Sequence, residues 1–314
     1  MPRKIVVDTD PGIDDAMAIF YALRSPELEV LGLTTVYGNA HTETCTLNAL
    51  RLLEIAGRPD IPVAEGAHRP LVSRFHGPAD FVHGKDGQGD TFLPPAAGKP
   101  VAVHAAQFLI DTVMSDPGNV TIVALGPLTN VALALLLKPD LPAYTREIVL
   151  MGGNAYVPGN ASPAAEANIG NDPAAADIVF GAACPVTMAG LDVTSRIRMT
   201  AADLDRFATF PNAESQHMAR LLPCYRSFYY GQLGVHEIMV HDSTTISWLL
   251  HPELFTVEAR PVRVETEGIS RGKTWPANKS SRPHSEWEGR PAVNILVAAN
   301  GPEAVRVELE AFAR

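Results

Sequence analysis

Short apolar runs alternate with stretches of helical periodicity through the first two thirds of the chain. Ile5-Val6-Val7 is a β-branched run closed by Pro11-Gly12, the pattern of a buried strand entering a tight loop. Behind it Ala16, Ile19, Phe20 and Leu23 recur at helical spacing. Leu28 to Val36 predicts a second strand that turns at Tyr37-Gly38-Asn39. Thr42 to Ala56 predicts a helix through Leu47, Leu50, Leu52 and Leu53, and Ile61 to Ala64 a short strand. Val103 to Ser115 is helical in pattern, Val120 to Leu125 is a buried strand, and an apolar helix follows to Leu137. Glu147 to Met151 and Pro185 to Leu191 are further strands. Between them a helix begins at Asp172-Pro173, an N-cap acid with Pro in the first helical position. This alternation predicts an α/β fold with a mostly parallel central sheet flanked by helices, a Rossmann-like open sheet.

The last third is less regular. Ala201 to Phe207, Glu214 to Tyr230 and Ser243 to Leu250 read as helices, the last with Asp242 in the N-cap place. Phe255 to Glu267 and Ala292 to Ala298 read as strands, and a short helix closes the chain. Lys279 to Gly289 is polar and predicts an exposed loop. Two long segments carry no clear period. Gly66 to Pro100 is rich in Gly, Pro, His and charge, and a loop of that length in a compact domain is functional or mobile. Asn154 to Ile169 is the second. At 314 residues, without internal repeats, the chain reads as one catalytic domain over 1–314.

Composition narrows the classes. A formal charge of −10 argues against a nucleic-acid or anionic-membrane surface, and no apolar run approaches the length that crosses a bilayer. The first strand begins within a few residues of the N-terminus, which predicts no signal peptide. The three cysteines, Cys45, Cys184 and Cys224, fit neither a zinc pattern nor a disulfide framework, so a cytoplasmic location is expected.

The chemistry concentrates after the first strand, where Asp8, Asp10, Asp14 and Asp15 fall within eight residues. Carboxylates so close raise one another's pKa unless donors or a cation compensate. Oxygen-only ligands suit a hard divalent ion such as Ca²⁺ or Mg²⁺. A solvated acidic turn at a helix N-terminus is the plainer alternative. The positions of other polar residues favour a site. Asn39, Leu125-Gly126 and Met151-Gly152 each follow a predicted strand, and in a parallel sheet those ends share one edge with the acids.

Asp8-Thr9-Asp10-Pro11-Gly12-Ile13-Asp14-Asp15 resembles the signature of the nucleoside hydrolases, the inosine-uridine preferring ribohydrolase family. The likeness continues through Gly38-Asn39, Gly126-Pro127-Leu128-Thr129-Asn130 and Met151-Gly152-Gly153. It extends over Pro158-Gly159-Asn160, Glu166, Asn168, Asp172-Pro173 and His241-Asp242. These blocks keep the family's order over nearly the whole chain.

The resemblance implies hydrolysis of the N-glycosidic bond of ribonucleosides to free base and ribose, through an oxocarbenium-like transition state. It implies a Ca²⁺ site held by Asp10, Asp15, Asp242 and the main-chain carbonyl of Leu125, with Asp10 activating the Ca²⁺-bound water. Many relatives carry Thr at the position of Leu125, but only a backbone oxygen is needed there. The ribose would be bound by Asp14, Asn39, Met151, Asn160, Glu166 and Asn168. The leaving base would be protonated by His241 and contacted by His83. Tyr225, Phe228, Tyr229 and Tyr230 form an aromatic cluster on a predicted helix that suggests core packing, with contact between Tyr229 and the base as the alternative. A small-molecule nucleoside is the expected partner, and a homodimer or homotetramer the expected assembly. Three departures bear on base specificity: Ser243-Thr244 where Pro is common after the His-Asp pair, Gln88 where an apolar residue is common, and the region of Trp275 and Trp287.

Other readings are weaker. Asp8-Thr9-Asp10 also fits the Asp-x-Asp of haloacid dehalogenase-like phosphotransferases, with Asp8 as nucleophile and Mg²⁺ as metal. That reading requires a later Lys and a paired acidic motif that the chain does not display, and it leaves Asp14-Asp15 and His241-Asp242 unexplained. A non-catalytic Ca²⁺-dependent nucleoside- or ribose-binding protein would be expected to lack Asp10 or the metal ligands. A nucleoside phosphorylase would call for a phosphate loop that is not recognisable here.

Overall fold

The computed structural model describes residues 1–278 and 286–314. The predicted loop over Lys279 to Gly289 therefore lies, for 279–285, outside the described residues. The chain begins with β1 (Arg3–Thr9), α1 (Ile13–Leu23), β2 (Leu28–Thr35), α2 (Thr42–Ile55) and β3 (Val63–Glu65). A short helix α3 (Asp80–His83) interrupts the long polar loop. Then come α4 (Ala105–Ser115), β4 (Val120–Ala124), α5 (Thr129–Leu137), β5 (Glu147–Met151), α6 (Ala167–Asn171), α7 (Pro173–Phe180) and β6 (Val186–Ala189). The last third comprises α8 (Leu191–Thr194), β7 (Arg198–Thr200), α9 (Ala201–Asp205), α10 (Ala213–Leu233), β8 (Glu237–Met239) and α11 (Ser243–Leu250). It ends with β9 (Phe255–Val264), β10 (Thr274–Pro276), β11 (Ala292–Ala299) and α12 (Gly301–Ala313).

Nine strands form one sheet in the order β10-β9-β11-β6-β5-β4-β1-β2-β3. Neighbours from β3 across to β11 run parallel, whereas β9 pairs antiparallel with both β11 and β10. The mostly parallel sheet expected from the alternating pattern is thus present. The small ribbon of β7 and β8 and the short strand β10 carry too few apolar residues to be visible in sequence. The third strand is Val63–Glu65 rather than Ile61 to Ala64, and Ile61 instead packs in the core.

The sheet separates two apolar layers, and the strand pleat explains how. In β1, Ile5 and Val7 pack with α1, α10, α11 and α12, while Val6 packs with α4, α5 and α7. Val123 and Ile122 divide in the same way on β4, as do Val149 and Ile148 on β5. A carboxylate is buried in the first layer: Glu308 of α12 is 1% exposed, and Ser243 lies beside it on α11. Burial pushes its carboxyl up to about 8, with Ser243 partly opposing the shift.

Strand order reverses between β2 on one side of β1 and β4 on the other, the switch point at which open α/β sheets bind ligands. Asp10 follows β1, Asn39 follows β2, Leu125 follows β4, and Met151 ends β5. The topology thus brings these four positions to one edge.

Candidate active site

Asp15, in the first turn of α1, is the most heavily bonded of the acids. It accepts the Thr9 hydroxyl at 2.5 Å, the Asp10 N–H at 3.3 Å, and both the Gly12 N–H and the Asn39 amide at 2.9 Å. Asp10 accepts the Asn39 N–H at 2.7 Å through one oxygen, and its other oxygen is buried without a hydrogen-bond partner. Two glycines make room for that carboxylate. A Cβ on Gly38 would fall 2.0 Å from one Asp10 oxygen, and a Cβ on Gly126 would fall 2.4 Å from the other. Asp14 accepts the Tyr225 hydroxyl at 2.9 Å and also keeps one buried oxygen unpartnered.

Asp242 opens α11, but its backbone is already helical (φ −66°, ψ −44°) and its side chain makes no cap hydrogen bond. The N-cap role that its position suggested is therefore not taken. The carboxylate turns instead to the acidic cluster, where ligand oxygens of Asp14, Asp15 and Asp242 all lie within 4.8 Å of one another. Asp8 stands apart. One of its oxygens accepts Thr34 at 2.6 Å and Asn130 at 2.8 Å, so it ties β1 to β2 and α5.

Burial dominates the electrostatics of these acids. Asp10 and Asp242 are pushed well above the ordinary carboxylate range by burial and then by their acidic neighbours. Asp14 and Asp15 are raised by burial, with His241 opposing the shift for Asp14. Four buried carboxylates in mutual repulsion, two with an unpartnered oxygen, form an oxygen-only donor set short of positive charge. That set fits a hard divalent cation.

The opposite wall comes from β4, β5 and the segment after β5. Glu166 caps α6, accepting Asn168 N–H at 2.8 Å and Ile169 N–H at 3.0 Å, and it also accepts Gly153 N–H at 2.9 Å. Part of the predicted loop is therefore a capped helical turn, organised by the same residue expected to face ribose. Asn168 donates to the Leu125 carbonyl at 2.6 Å and to the Met151 carbonyl at 3.2 Å, bridging the ends of β4 and β5. Asn160 accepts the Ala167 N–H at 3.0 Å through its side-chain oxygen, which leaves its amide free to donate.

On the third side stand two buried histidines. His83 accepts the Ile13 N–H through Nδ1 at 3.1 Å, and burial lowers it to about 4. A neutral ring whose Nδ1 accepts carries its proton on Nε2. His241 bonds Tyr229 through Nε2 and Thr194 through Nδ1, each at 2.8 Å. Burial lowers its pKa, against the pull of Asp14.

Asp14, Asn39, His83, Leu125, Met151, Asn160, Glu166, Asn168, Tyr229, His241 and Asp242 all line one cavity of about 410 Å³. Asp10 and Asp15 lie beneath it and reach it through Asn39. Phe81, Val157, Phe228 and Gln232 complete the rim.

Three partners escaped sequence reasoning. Tyr225 belongs to an aromatic cluster that suggested core packing, and it does stack on His83, but its hydroxyl serves Asp14. Thr9 and Thr194 carry no pattern of their own. For Thr9 the signal was its place between Asp8 and Asp10. For Thr194 there was none, because its contact with His241 spans 47 positions.

The pattern of the family described as inosine-uridine preferring nucleoside hydrolase matches residues 5–306. A probable uridine nucleosidase 2 of Arabidopsis thaliana is 44% identical, over 98% of this chain and 97% of its own length. The pyrimidine-specific ribonucleoside hydrolase RihA of Klebsiella pneumoniae is 45% identical, over 85% of this chain and 86% of its own. Among solved structures, a plant nucleoside hydrolase, the PpNRh1 enzyme, superposes with a TM-score of 0.97 at 40% identity, covering 100% of this chain and 99% of that one. A purine-preferring ribonucleoside hydrolase from Gardnerella vaginalis superposes at 0.92 with 30% identity, covering 99% and 98%.

Proposed function

The chain belongs to the inosine-uridine preferring nucleoside hydrolase family, and on that premise we propose how its residues divide the work and which nucleoside it prefers. The observation that carries the reading is the convergence of Asp14, Asp15 and Asp242 at the floor of the cavity that His241 also lines. Asp10, Asp15, Asp242 and the Leu125 carbonyl would hold a Ca²⁺ ion, with Asp14 close enough to share it. Ca²⁺ suits the site because it accepts more oxygens than Mg²⁺ and in looser geometry. When bound, the cation supplies positive charge that acidifies water and offsets the crowded carboxylates.

The protein residues do the rest. Asp10 takes the proton of the attacking water, through the oxygen that has no other partner. Asp14 and Glu166 accept from the ribose hydroxyls, and the Asn160 amide donates to them. Asn39 acts mainly by bracing Asp10 and Asp15, and Asn168 by bracing the Leu125 carbonyl. As the bond between C1′ and the base nitrogen breaks, the base leaves with the electron pair and needs a proton. His241 has both ring nitrogens engaged, so in its protonated form Nε2–H donates to the Tyr229 oxygen while the Tyr229 hydroxyl passes its own proton to the base, which leaves the ring neutral. His83 presents Nε2–H as a donor to an acceptor on the base.

Relatives at 44–45% identity are described as uridine or pyrimidine nucleosidases, which supports uridine as the preferred substrate. A panel of uridine, cytidine, inosine, adenosine and guanosine, read as free base and ribose with and without EDTA, tests this. Uridine should be cleaved fastest and EDTA should abolish turnover. Release that required added phosphate would sink the hydrolase reading. Residues 1–314 act as one catalytic domain, in the cytoplasm and as a homodimer or homotetramer. The cysteines, all free, agree with a reducing compartment. Light scattering in solution checks the assembly.

A further inference from the structure

The segment Gly87-Gln88-Gly89 is wedged between the acidic loop and α10. A Cβ on Gly87 would lie 3.0 Å from the Asn48 amide and 3.4 Å from the Pro11 carbonyl. One on Gly89 would lie 3.2 Å from the Leu221 carbonyl of α10. Both glycines have positive φ, +70° and +69°, so a side chain at either position would strain the backbone. Between them Gln88 is 1% exposed. Its amide nitrogen donates to the Gly12 carbonyl at 2.8 Å and approaches the Pro11 carbonyl at 3.3 Å. Its side-chain oxygen meets Nε2 of His217 on α10 at 3.3 Å. His217 is 3% exposed, and burial lowers it to about 4, so the ring is neutral and can donate from Nε2.

Pro11 and Gly12 separate Asp10 from Asp14 and Asp15. Their carbonyls therefore set how far apart the acids stand. A buried amide holding those carbonyls fixes the spacing, and a partner on α10 fixes the amide. We propose that Gln88 and His217 are positioning residues that lock the acidic loop in its cation-holding geometry, acting through the Pro11 and Gly12 carbonyls and touching neither substrate nor cation. The proposal rests on the reading that the acids hold a cation, and its test separates the two.

Gln88→Met keeps the length of the side chain and removes its hydrogen bonds to the loop carbonyls and to His217. His217→Phe keeps a ring and removes the donor. His217→Gln keeps a donor close to the position of Nε2. Three measurements decide: amide hydrogen exchange of the peptide 10–18 in cation-free protein, Ca²⁺ affinity by calorimetry, and kcat and KM for uridine at saturating Ca²⁺. Gln88→Met should speed exchange in 10–18 at least tenfold while 120–124 stays protected. It should weaken Ca²⁺ binding by about 10- to 100-fold, the usual cost of losing a group that orients metal ligands. KM at saturating Ca²⁺ should move by less than about threefold, since the ribose- and base-facing groups are untouched. His217→Phe should act in the same direction and His217→Gln should restore most of the loss. Exchange and affinity equal to wild type in Gln88→Met and His217→Phe would overturn the proposal. So would a loss that follows global stability across all peptides. If Gln88→Met does not fold, His217→Phe against His217→Gln decides alone. A wild-type protein that bound no Ca²⁺ would remove the cation reading, and the exchange measurement would still judge the lock.

Discussion

The hydroxyl of Tyr225 lies 2.9 Å from the carboxylate of Asp14, a bond between residues 211 positions apart that pins α10 to the first turn of α1. Among the described residues it is the side-chain donor to a carboxylate whose other oxygen is buried without a hydrogen-bond partner. Removing it leaves Asp14 buried with less to offset its charge. Hydrogen bonds to charged groups contribute about 1.5–3 kcal/mol. Tyr225→Phe should therefore lower kcat/KM for uridine by roughly 10- to 100-fold. Steady-state kinetics on a variant of near-native melting temperature checks this, and a change under threefold would remove Tyr225 from the site.

Asp10→Asn keeps the shape of the side chain within its glycine cradle and abolishes its basicity. Turnover should fall by about 10²- to 10⁴-fold, the range for loss of a general base. Circular dichroism should show an unchanged fold. Activity within tenfold of wild type would exclude Asp10 as the base.

His241→Ala should be more damaging for substrates whose leaving group needs a proton. Uridine cleavage should fall by about 10²-fold or more, while p-nitrophenyl riboside, whose phenolate leaves unaided, should lose less than tenfold. Equal losses on the two substrates would argue against an acid role. Tyr229→Phe should show the same contrast if the proton passes through its hydroxyl.

Glu308 makes stability depend on pH in a definite direction. Its pKa is about 8 in the folded protein against 4.5 for an exposed side chain. The folded state therefore holds an extra proton between those values, and its stability falls as pH rises from about 4.5 to about 8. Glu308→Gln has no proton to lose. Its melting temperature relative to wild type should climb from pH 5 to pH 8 and then level off. A difference independent of pH would mean that the carboxyl is not held neutral.

The parallel sheet was legible because each buried strand announces itself as an apolar run. The acidic floor was legible because its aspartates crowd one loop and strand ends converge. Glu166 and Asn168 do line the cavity, but their hydrogen bonds were not foreseeable. A carboxylate that caps a helical turn looks the same in sequence as one that waits for ribose. Asp242 shows the limit of position alone: an acid before a helix reads as a cap, the family resemblance set it instead among the cation ligands, and its helical φ and ψ go with a side chain turned to the cluster. Tyr225 and Thr194 depend on contacts across 211 and 47 positions, which periodicity cannot encode.

The two glycines that flank Asp10 divide the cavity into parts with different freedom to change. Any side chain at Gly38 or Gly126 would occupy the space of the Asp10 carboxylate, so drift in sequence is blocked at the floor. Phe81, Val157, Phe228 and Gln232 also line the cavity, and none of them is a proposed cation ligand or proton-transfer group. New substrate ranges can therefore arise by exchanging rim side chains while the bond-breaking apparatus is inherited intact. An engineer seeking a different nucleobase preference should randomise those four positions and leave the glycines alone.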